Sequence, residues 1–553
     1  MIKMNRKIFL LLVAVVVTAF SLRFYKVTEV PPSLNWDEVS IGYNAYSILK
    51  TGKDEWGQPF PVHFKAFGEY KLPIQIYASI PAISVFGLND FGIRITPVIY
   101  GALTVLLIFF LTRKIFKNDY IGLEAAFLLA ISPWHIQLTR ASFESSLAVL
   151  WVVLAIWLLI KGFENKKCLV LSAIPFALSL YTYNSARVFV PLFLLLVVLL
   201  FRRFFLKNIR YLVFTAGFLA ILLLPLAPFY LSGEGNARYK LVSITDDPGL
   251  VPRINENRGK MNWPDPIPTL VHNKFTYISF YTAENYLAHF TPQFLFISGA
   301  PHKQHHVQDI GELYWFQAPF LLIGLFFLFK HKQPYRWLLT SWVLLAFIPV
   351  SVTNDSIPHA LRTLIAVPFY QIVSAWGVYQ SFVFLKKRNN KILILASLVT
   401  ILLAIFQITG YLNNYYNKYP IKYSRDWQYG YKQVVEYIND NYSKYDEIYF
   451  SRHFGEPHIF TLFYLNYDPG KYQQNDQLIR YETNNWVWVT RFDNFHFPDL
   501  GDPGTGFEDI LKENPNKKIL FIGKWGDFPI FWPKLKTINF LDNTPAFEIV
   551  EKI

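Results

Sequence analysis

The sequence predicts a mainly α, polytopic membrane protein: a bundle of about eleven transmembrane helices, followed by a smaller α/β or α+β domain outside the membrane. Three observations predict it. Hydrophobic residues make up 53% of the 553-residue chain and charged residues only 17%, whereas a soluble domain carries about a quarter charged. The apolar excess is gathered into runs that can cross a hydrocarbon core of about 30 Å, which takes about 20 residues of helix. Basic residues fall in short clusters between alternate runs, as cytoplasmic loops require.

The first run, 8–24, follows Lys3, Arg6 and Lys7. Arg23, Phe24 and Tyr25 close it where a signal peptide would have small residues, so it reads as a retained first helix. Further spans fall at 95–111, 121–134, 146–160, 169–181, 188–200, 211–230, 316–328, 337–352, 364–385 and 392–411. The loops test this order. Arg113, Lys114 and Lys117 form one basic cluster; Lys161, Lys166 and Lys167 the next; then Arg202, Arg203, Lys207 and Arg210; then Lys330, Lys332 and Arg336; then Lys386, Lys387, Arg388 and Lys391. All fall on the side of the N-terminus, which is therefore cytoplasmic in a cell (plasma) membrane. Segments 25–90, 135–145, 182–187, 231–315 and 353–362, and the tail, face outside. Residues 72–88 are apolar but contain Pro73, Gln75 and Pro81. A span there would invert every later loop, so they read as interfacial or re-entrant helix.

The chain thus divides into a membrane domain, 1–411, with a first outer loop 25–90 and a large outer loop 231–315, and an extracytoplasmic domain, 412–553. The tail is polar and rich in Asp, Asn, Tyr and Lys. Helical spacing at 426–442 puts Trp427, Val434, Val435 and Ile438 on one side. β-type runs follow at 447–451, 459–464, 486–490 and 518–522, with a helix at 506–513. The formal charge of +14 lies largely in the cytoplasmic clusters, where it orients the chain, so a nucleic-acid partner is not implied. The single cysteine, Cys168, excludes an intramolecular disulfide.

Charged and aromatic residues crowd the outer ends of the spans. Asn35-Trp36-Asp37-Glu38 sets two carboxylates side by side; burial and a like charge raise the pKa of one such group, which suits a general base. The simpler reading by spacing is a helix N-terminus capped by Asn35 or Asp37. Arg140 and Glu144, four apart, suit an ion pair on one helical face. Tyr183 with Arg187, His359 with Arg362, and Lys71 place further cations at outer helix entries, where each alone reads as snorkelling and together they can surround an anion. His302, His305 and His306 lack a metal-site spacing and read as solvated loop residues. Gly501–Gly506 reads as a turn. The chain has no Asp-x-Asp pair, which argues against a metal-bound nucleotide-sugar site.

From Trp36-Asp37-Glu38 onward the outer-face residues resemble the membrane-embedded GT-C glycosyltransferases of the protein O-mannosyltransferase and lipid A aminoarabinose transferase kind. The matching features are the acidic pair, Lys71-Leu72-Pro73, Gly92-Ile93-Arg94 at the second span, Arg140 with Glu144, and Tyr183 with Arg187. The resemblance implies transfer of a hexosyl or pentosyl group from a polyprenyl-phosphate donor to a glycolipid, glycan or protein on the outer face of the bilayer. It implies Asp37 as general base, with Glu38 and Glu144 as further catalytic acids. Lys71, Arg187 and Arg362 would hold the donor phosphate, supported by Arg94, Arg140, Tyr183 and His359, and no metal or other cofactor is required. The chain departs in having Glu144 where Asp is common, Lys-Leu-Pro for Lys-Pro-Pro, and a tail that matches no member. A transporter or flippase of lipid-linked sugars is the competing reading, and would show paired halves with broken helices at mid-bilayer. A non-catalytic scaffold would not need acids and cations at the outer helix ends.

Overall fold

The computed structural model describes residues 4–483, 486–500 and 506–552. The chain forms two compact units: residues 1–25, 97–139 and 144–412 in the first, and residues 26–96, 140–143 and 413–553 in the second.

The first unit is helical. Each apolar run coincides with helix: Arg6–Phe24, Asp90–Phe116, Asp119–Ile131, Glu144–Gly162, Ala173–Leu180, Asn184–Leu200, Ile209–Leu223, Gln317–Lys330, Arg336–Ala346, Val367–Arg388 and Asn390–Asn413. Among the described residues, six helices are long and apolar enough to cross a membrane unaided; the chain is a multi-pass membrane protein. Shorter runs are interrupted where the sequence removes a donor or changes the backbone. Asp119–Ile131 stops at Ser132, which then caps Pro133–Leu138 with proline at its first turn. The segment 231–315 is not irregular: it contains Ala237–Val242, Leu250–Lys260 and Lys274–Ala288.

The second unit is built on a seven-stranded sheet. Strands β1 (Phe64–Ala66) and β2 (Glu69–Lys71) form a separate antiparallel pair. The sheet comprises β3 (Glu447–Phe450), β4 (Ile479–Thr483), β5 (Trp486–Phe492), β6 (Phe495–His496), β7 (Ile519–Lys524), β8 (Lys534–Asn539) and β9 (Pro545–Lys552) in the order β4-β5-β6-β3-β7-β9-β8. Only β3 pairs in parallel, with β6 and β7. The edge strand β8 carries Lys534 and Lys536, charges that discourage a further strand from pairing there.

Residues 26–90, expected to form the first outer loop, belong to this unit. Leu34, Val39, Ile41, Phe64 and Ile76 are buried in one core with Val434, Ile438, Ile448, Phe460, Phe463 and Ile549. A division at residue 411 therefore separates residues that share a core, because sequence distance hides the contact. Residues 72–88 form a helix, Pro73–Phe86, in the same unit. Residues 459–464 are helix, Pro457–Tyr464, where a strand was expected. A short apolar run buried all round carries no period to separate the two, and Pro457 at the first turn favours helix.

Candidate functional site

In the second unit the site is organised by helix Trp36–Thr51. Its N-terminus is closed by a capping box: the Asn35 side chain accepts the Glu38 N–H at 2.9 Å, and the Glu38 carboxylate accepts the Asn35 N–H at 3.3 Å. Asp37 takes no part in the cap. Its side chain is 32% exposed and pairs with Lys71, whose own side chain is 2% exposed. Strand β2 ends on Lys71, opposite Phe64. Glu69 lies 3.9 Å from the same ammonium, and the Phe67 ring centroid 5.9 Å from it. Lys71, expected on a donor phosphate, is thus the partner of Asp37.

Glu38 is buried and faces another set of groups. Its carboxylate receives Nε and Nη2 of Arg94 at 3.0 Å each and the Ser142 N–H at 3.0 Å. Arg94 also donates to the carbonyls of Val27 and Pro31. Successive helical residues point about 100° apart, so the adjacent carboxylates separate into one buried and one accessible. Glu38, expected as a catalytic acid beside Asp37, is occupied by this network. Arg140 is not helical: it lies before helix Glu144–Gly162, so it and Glu144 do not share a helical face. Its guanidinium donates to the carbonyls of Val30 and Lys26 and stacks over Tyr415 and Tyr416. Arg94 and Arg140 therefore tie residues 26–33 to the base of the site. Glu144 opens its helix in the first unit, half-buried.

Aromatic residues from both parts of the second unit pack on Trp36, the neighbour of Asp37. The Trp36 ring lies 5.9 Å from Phe67 and 6.1 Å from Trp486, and Phe67 and Trp486 stack at 6.1 Å. Gln428 accepts the Trp36 N–H at 2.9 Å, and Trp486 donates to Glu456 at 2.7 Å. Two glycines allow this packing. A Cβ on Gly68 would lie 2.7 Å from the Trp486 ring; one on Gly455, where φ is 126°, would lie 2.7 Å from the Trp36 ring. The sequence reading missed Trp486. Its signal was the alternation Trp486-Val487-Trp488, which puts both indoles on one face of β5.

The first unit gathers the other candidates. Arg362 donates to Thr353 Oγ1 at 3.0 Å and to Asp355 at 2.7 Å. Burial works against the charge on Asp355, but Arg362 beside it holds the carboxyl below its ordinary range. His359 Nδ1 accepts the Arg362 N–H at 3.3 Å, and the His359 N–H donates to His289 Nε2 at 3.0 Å. The loop histidines are not solvated, as expected from sequence, but packed. His302 and His305 are half-buried and stack at 3.8 Å, with His359 4.9 Å from His305; His306 is buried against Glu312 at 3.1 Å. Arg187 donates to Asn184 Oδ1 at 3.1 Å and lies over Phe229 and Tyr230. Tyr183 precedes the same helix. Among the described residues no three His, Cys, Asp or Glu side chains are grouped as metal ligands. Of the expected turn at 501–506, residues 501–505 lie outside the described residues.

Comparison with known proteins follows this geometry. A family profile described as Dolichyl-phosphate-mannose-protein mannosyltransferase matches residues 76–227, a stretch that holds Arg94, Arg140, Glu144, Tyr183 and Arg187 but neither Asp37 nor Arg362. ArnT from Cupriavidus metallidurans, in the apo state, superposes with a TM-score of 0.55 at 11% identity, covering 98% of this chain and 97% of that one. The same protein bound to undecaprenyl phosphate gives 0.51 at 11% identity, with 98% of each chain covered. The archaeal oligosaccharyltransferase AglB from Archaeoglobus fulgidus, in complex with an inhibitory peptide and a dolichol-phosphate, gives 0.50 at 15% identity over 79% of this chain; the match spans only 58% of that protein. No curated protein matches the sequence. The fold is that of the GT-C glycosyltransferases.

Proposed function

We propose that the protein transfers a sugar from a polyprenyl-phosphate donor to an acceptor hydroxyl on the outer face of the membrane, with Asp37 as general base. The observation that carries this reading is the division of labour at the helix start. Asn35 and Glu38 close the cap, which leaves Asp37 accessible and paired with buried Lys71. The pairing orients the carboxylate, so Lys71 is a positioning residue here. The family profile and the fold support a lipid-phosphate donor, and ArnT itself has been seen with undecaprenyl phosphate. The sidedness rests on the alternating basic loops.

In the proposed reaction the acceptor oxygen gives its proton to Asp37 and attacks the anomeric carbon. The bond from that carbon to the phosphate oxygen breaks, and its electron pair stays with the phosphate. Cationic side chains on the phosphate stabilise the added charge. One in-line displacement inverts the anomeric centre. Glu144 remains the second acidic candidate, on the first turn of its helix. Aromatic faces at Trp36 and Trp486 suit a sugar or aromatic acceptor beside Asp37.

The test is release of lipid phosphate by the purified protein in nanodiscs, supplied with a panel of polyprenyl-phosphate sugars and candidate acceptors. Acceptor-dependent release that Asp37→Asn abolishes supports the reading. A transporter would move intact donor and release none, and release that survives Asp37→Asn would sink the assignment of the base.

A further inference from the structure

We infer that the second unit holds a binding site for a phosphate that carries a primary ammonium, the pairing found in an aminophospholipid head group. The site is a cavity of about 490 Å³ with Lys26, Glu29, Asp90 and Lys432 on its wall, and all its lining residues belong to the second unit. Ligand pockets are usually about 300–1,000 Å³. Two lysines and two carboxylates cancel in formal charge. A bare anion would call for an excess of cations, whereas this wall is matched to a ligand with one charge of each sign. Asp90 is already engaged: Tyr464 donates to its Oδ1 at 3.0 Å and Lys432 to its Oδ2. Glu29 is the accessible carboxylate, with its side chain 67% exposed and 3.9 Å from the Lys26 ammonium. That separation is longer than a hydrogen bond, so a ligand can take up either group.

One wall of the cavity is preformed. Residues 26–33 form neither helix nor strand, and two arginines hold their carbonyls instead. Arg94 donates to Val27 and Pro31 at 3.1 and 2.7 Å, and Arg140 to Lys26 and Val30 at 3.1 and 2.6 Å. These bonds fix the backbone that carries Lys26 and Glu29, which lowers the cost of ordering it around a ligand. A second wall comes from Tyr416 and Ile421, on the helical continuation of Asn390–Asn413 through Asn414–Lys418 and Tyr419–Lys422. Tyr416 lies about 8 Å of helix beyond the apolar run 392–411, and Lys26 follows closely on the helix Arg6–Phe24. Both places fall at the level of lipid head groups, a layer of about 5–8 Å on each side of the hydrocarbon core.

The charges assign the two ends of the ligand. Its phosphate oxygens accept from the ammonium groups of Lys26 and Lys432. Its own ammonium donates to Glu29. A further acceptor stands on the wall: Gln433 Oε1 is buried with no hydrogen-bond donor on it, and a small turn of the amide brings it to the cavity. A primary ammonium has three N–H groups to give such acceptors, and a quaternary ammonium has none. The acceptor set therefore separates the two classes of zwitterionic lipid. Ile421 and Leu541, on the same cavity, offer apolar contact to the glycerol end.

The experiment uses the full-length protein in a neutral detergent, titrated with dihexanoyl phosphatidylethanolamine and followed by native mass spectrometry, which resolves lipid-bound from lipid-free protein. We expect binding at least about tenfold tighter than for dihexanoyl phosphatidylcholine or phosphatidylglycerol, neither of which has an ammonium that can donate. Glu29→Gln changes an exposed side chain and should keep the fold, yet bring the affinities for the ethanolamine and choline lipids to within about threefold of each other. Lys26→Gln/Lys432→Gln should weaken the ethanolamine lipid by about tenfold or more. The thermal transition reports whether that double variant is folded, and Lys26→Gln alone carries the test if it is not. Free phosphoethanolamine distinguishes the sources. Binding at the same concentration as the lipid supports the site with a soluble ligand of the same chemistry, and binding by the lipid alone supports it with the bilayer as source. Equal affinity of the native protein for the three lipids, or a preference that survives Glu29→Gln, would overturn the inference.

Discussion

Replacing Asp37 by Asn separates catalysis from architecture because the cap does not depend on it. The capping box of Asn35 and Glu38 stays intact, so the helix keeps the ~1 kcal/mol that such a cap contributes. What is lost is one charge. Lys71 then has Glu69, 3.9 Å away, as its remaining ion-pair partner. Removing one partner of a fully buried pair costs about 3–5 kcal/mol. Here Asp37 is 32% exposed, so water screens the pair and the cost falls to about 1–2 kcal/mol. Loss of a general base, by contrast, costs about 10²–10⁴-fold in rate, or about 3–5 kcal/mol of barrier. The two effects are read independently: initial rate of lipid-phosphate release for one, thermal unfolding in detergent for the other. Adding Lys71→Met to Asp37→Asn removes the orphaned charge and should restore stability while leaving transfer dead. Native transfer rates in the single variant, or recovery of transfer along with stability in the double, would refute the assignment of Asp37 as base.

Four other outcomes follow from the same geometry. Glu38→Gln should destabilise the protein by about 3–5 kcal/mol by leaving Arg94 buried without its carboxylate, and Glu38→Gln with Arg94→Met should recover most of that in an unfolding titration; a silent Glu38→Gln would mean that the Arg94 network is not needed. Trp486→Ala should raise the acceptor KM about tenfold, the equivalent of about 1.4 kcal/mol, with little change in kcat; an unchanged acceptor KM would place the acceptor elsewhere. Burial pushes the Asp54 carboxyl up to about 6, against backbone donors from Gln58 and with Glu55 adding to the rise. Its folded pKa therefore exceeds the unfolded value of about 3.9, so its stabilising contribution is full below that value and lost as pH rises through 6. Asp54→Asn should flatten the fall in Tm between pH 4 and 7, and an unaltered profile would assign that fall to other groups. In a Cys168→Ser background, an impermeant thiol reagent on intact cells should label Gln304→Cys and not Lys166→Cys; the reverse pattern would invert the orientation.

The membrane part was legible because a bilayer acts on composition locally. Each apolar run had to satisfy its backbone within itself, so runs such as 95–111 and 392–411 identified their helices without knowledge of any neighbour. The cap was also within reach: spacing offered Asn35 or Asp37 as the N-cap, and the structure has Asn35 there, with Glu38 three residues on completing the capping box. Strands β3, β5 and β7 were visible as apolar runs between turns. β8 was not, because five of its six residues are exposed and it carries no apolar pattern.

Other features required chain segments that composition cannot connect. Adjacency suggested that Asp37 and Glu38 work together; tertiary structure divided them, giving one to Lys71 and the other to Arg94, 34 and 56 residues on. The same holds for His302 and His305, which read as loop residues until His359 and Arg362 were placed against them. The sequence by itself determined which segments can live in a membrane and which connecting loops hold titratable groups, because those are one-body properties of residue and solvent. Only the tertiary structure decided which carboxylate is spent on holding the fold and which is left accessible, because a charge acquires its role from its nearest partner, and the Coulomb energy that selects that partner depends on distance through space and not along the chain.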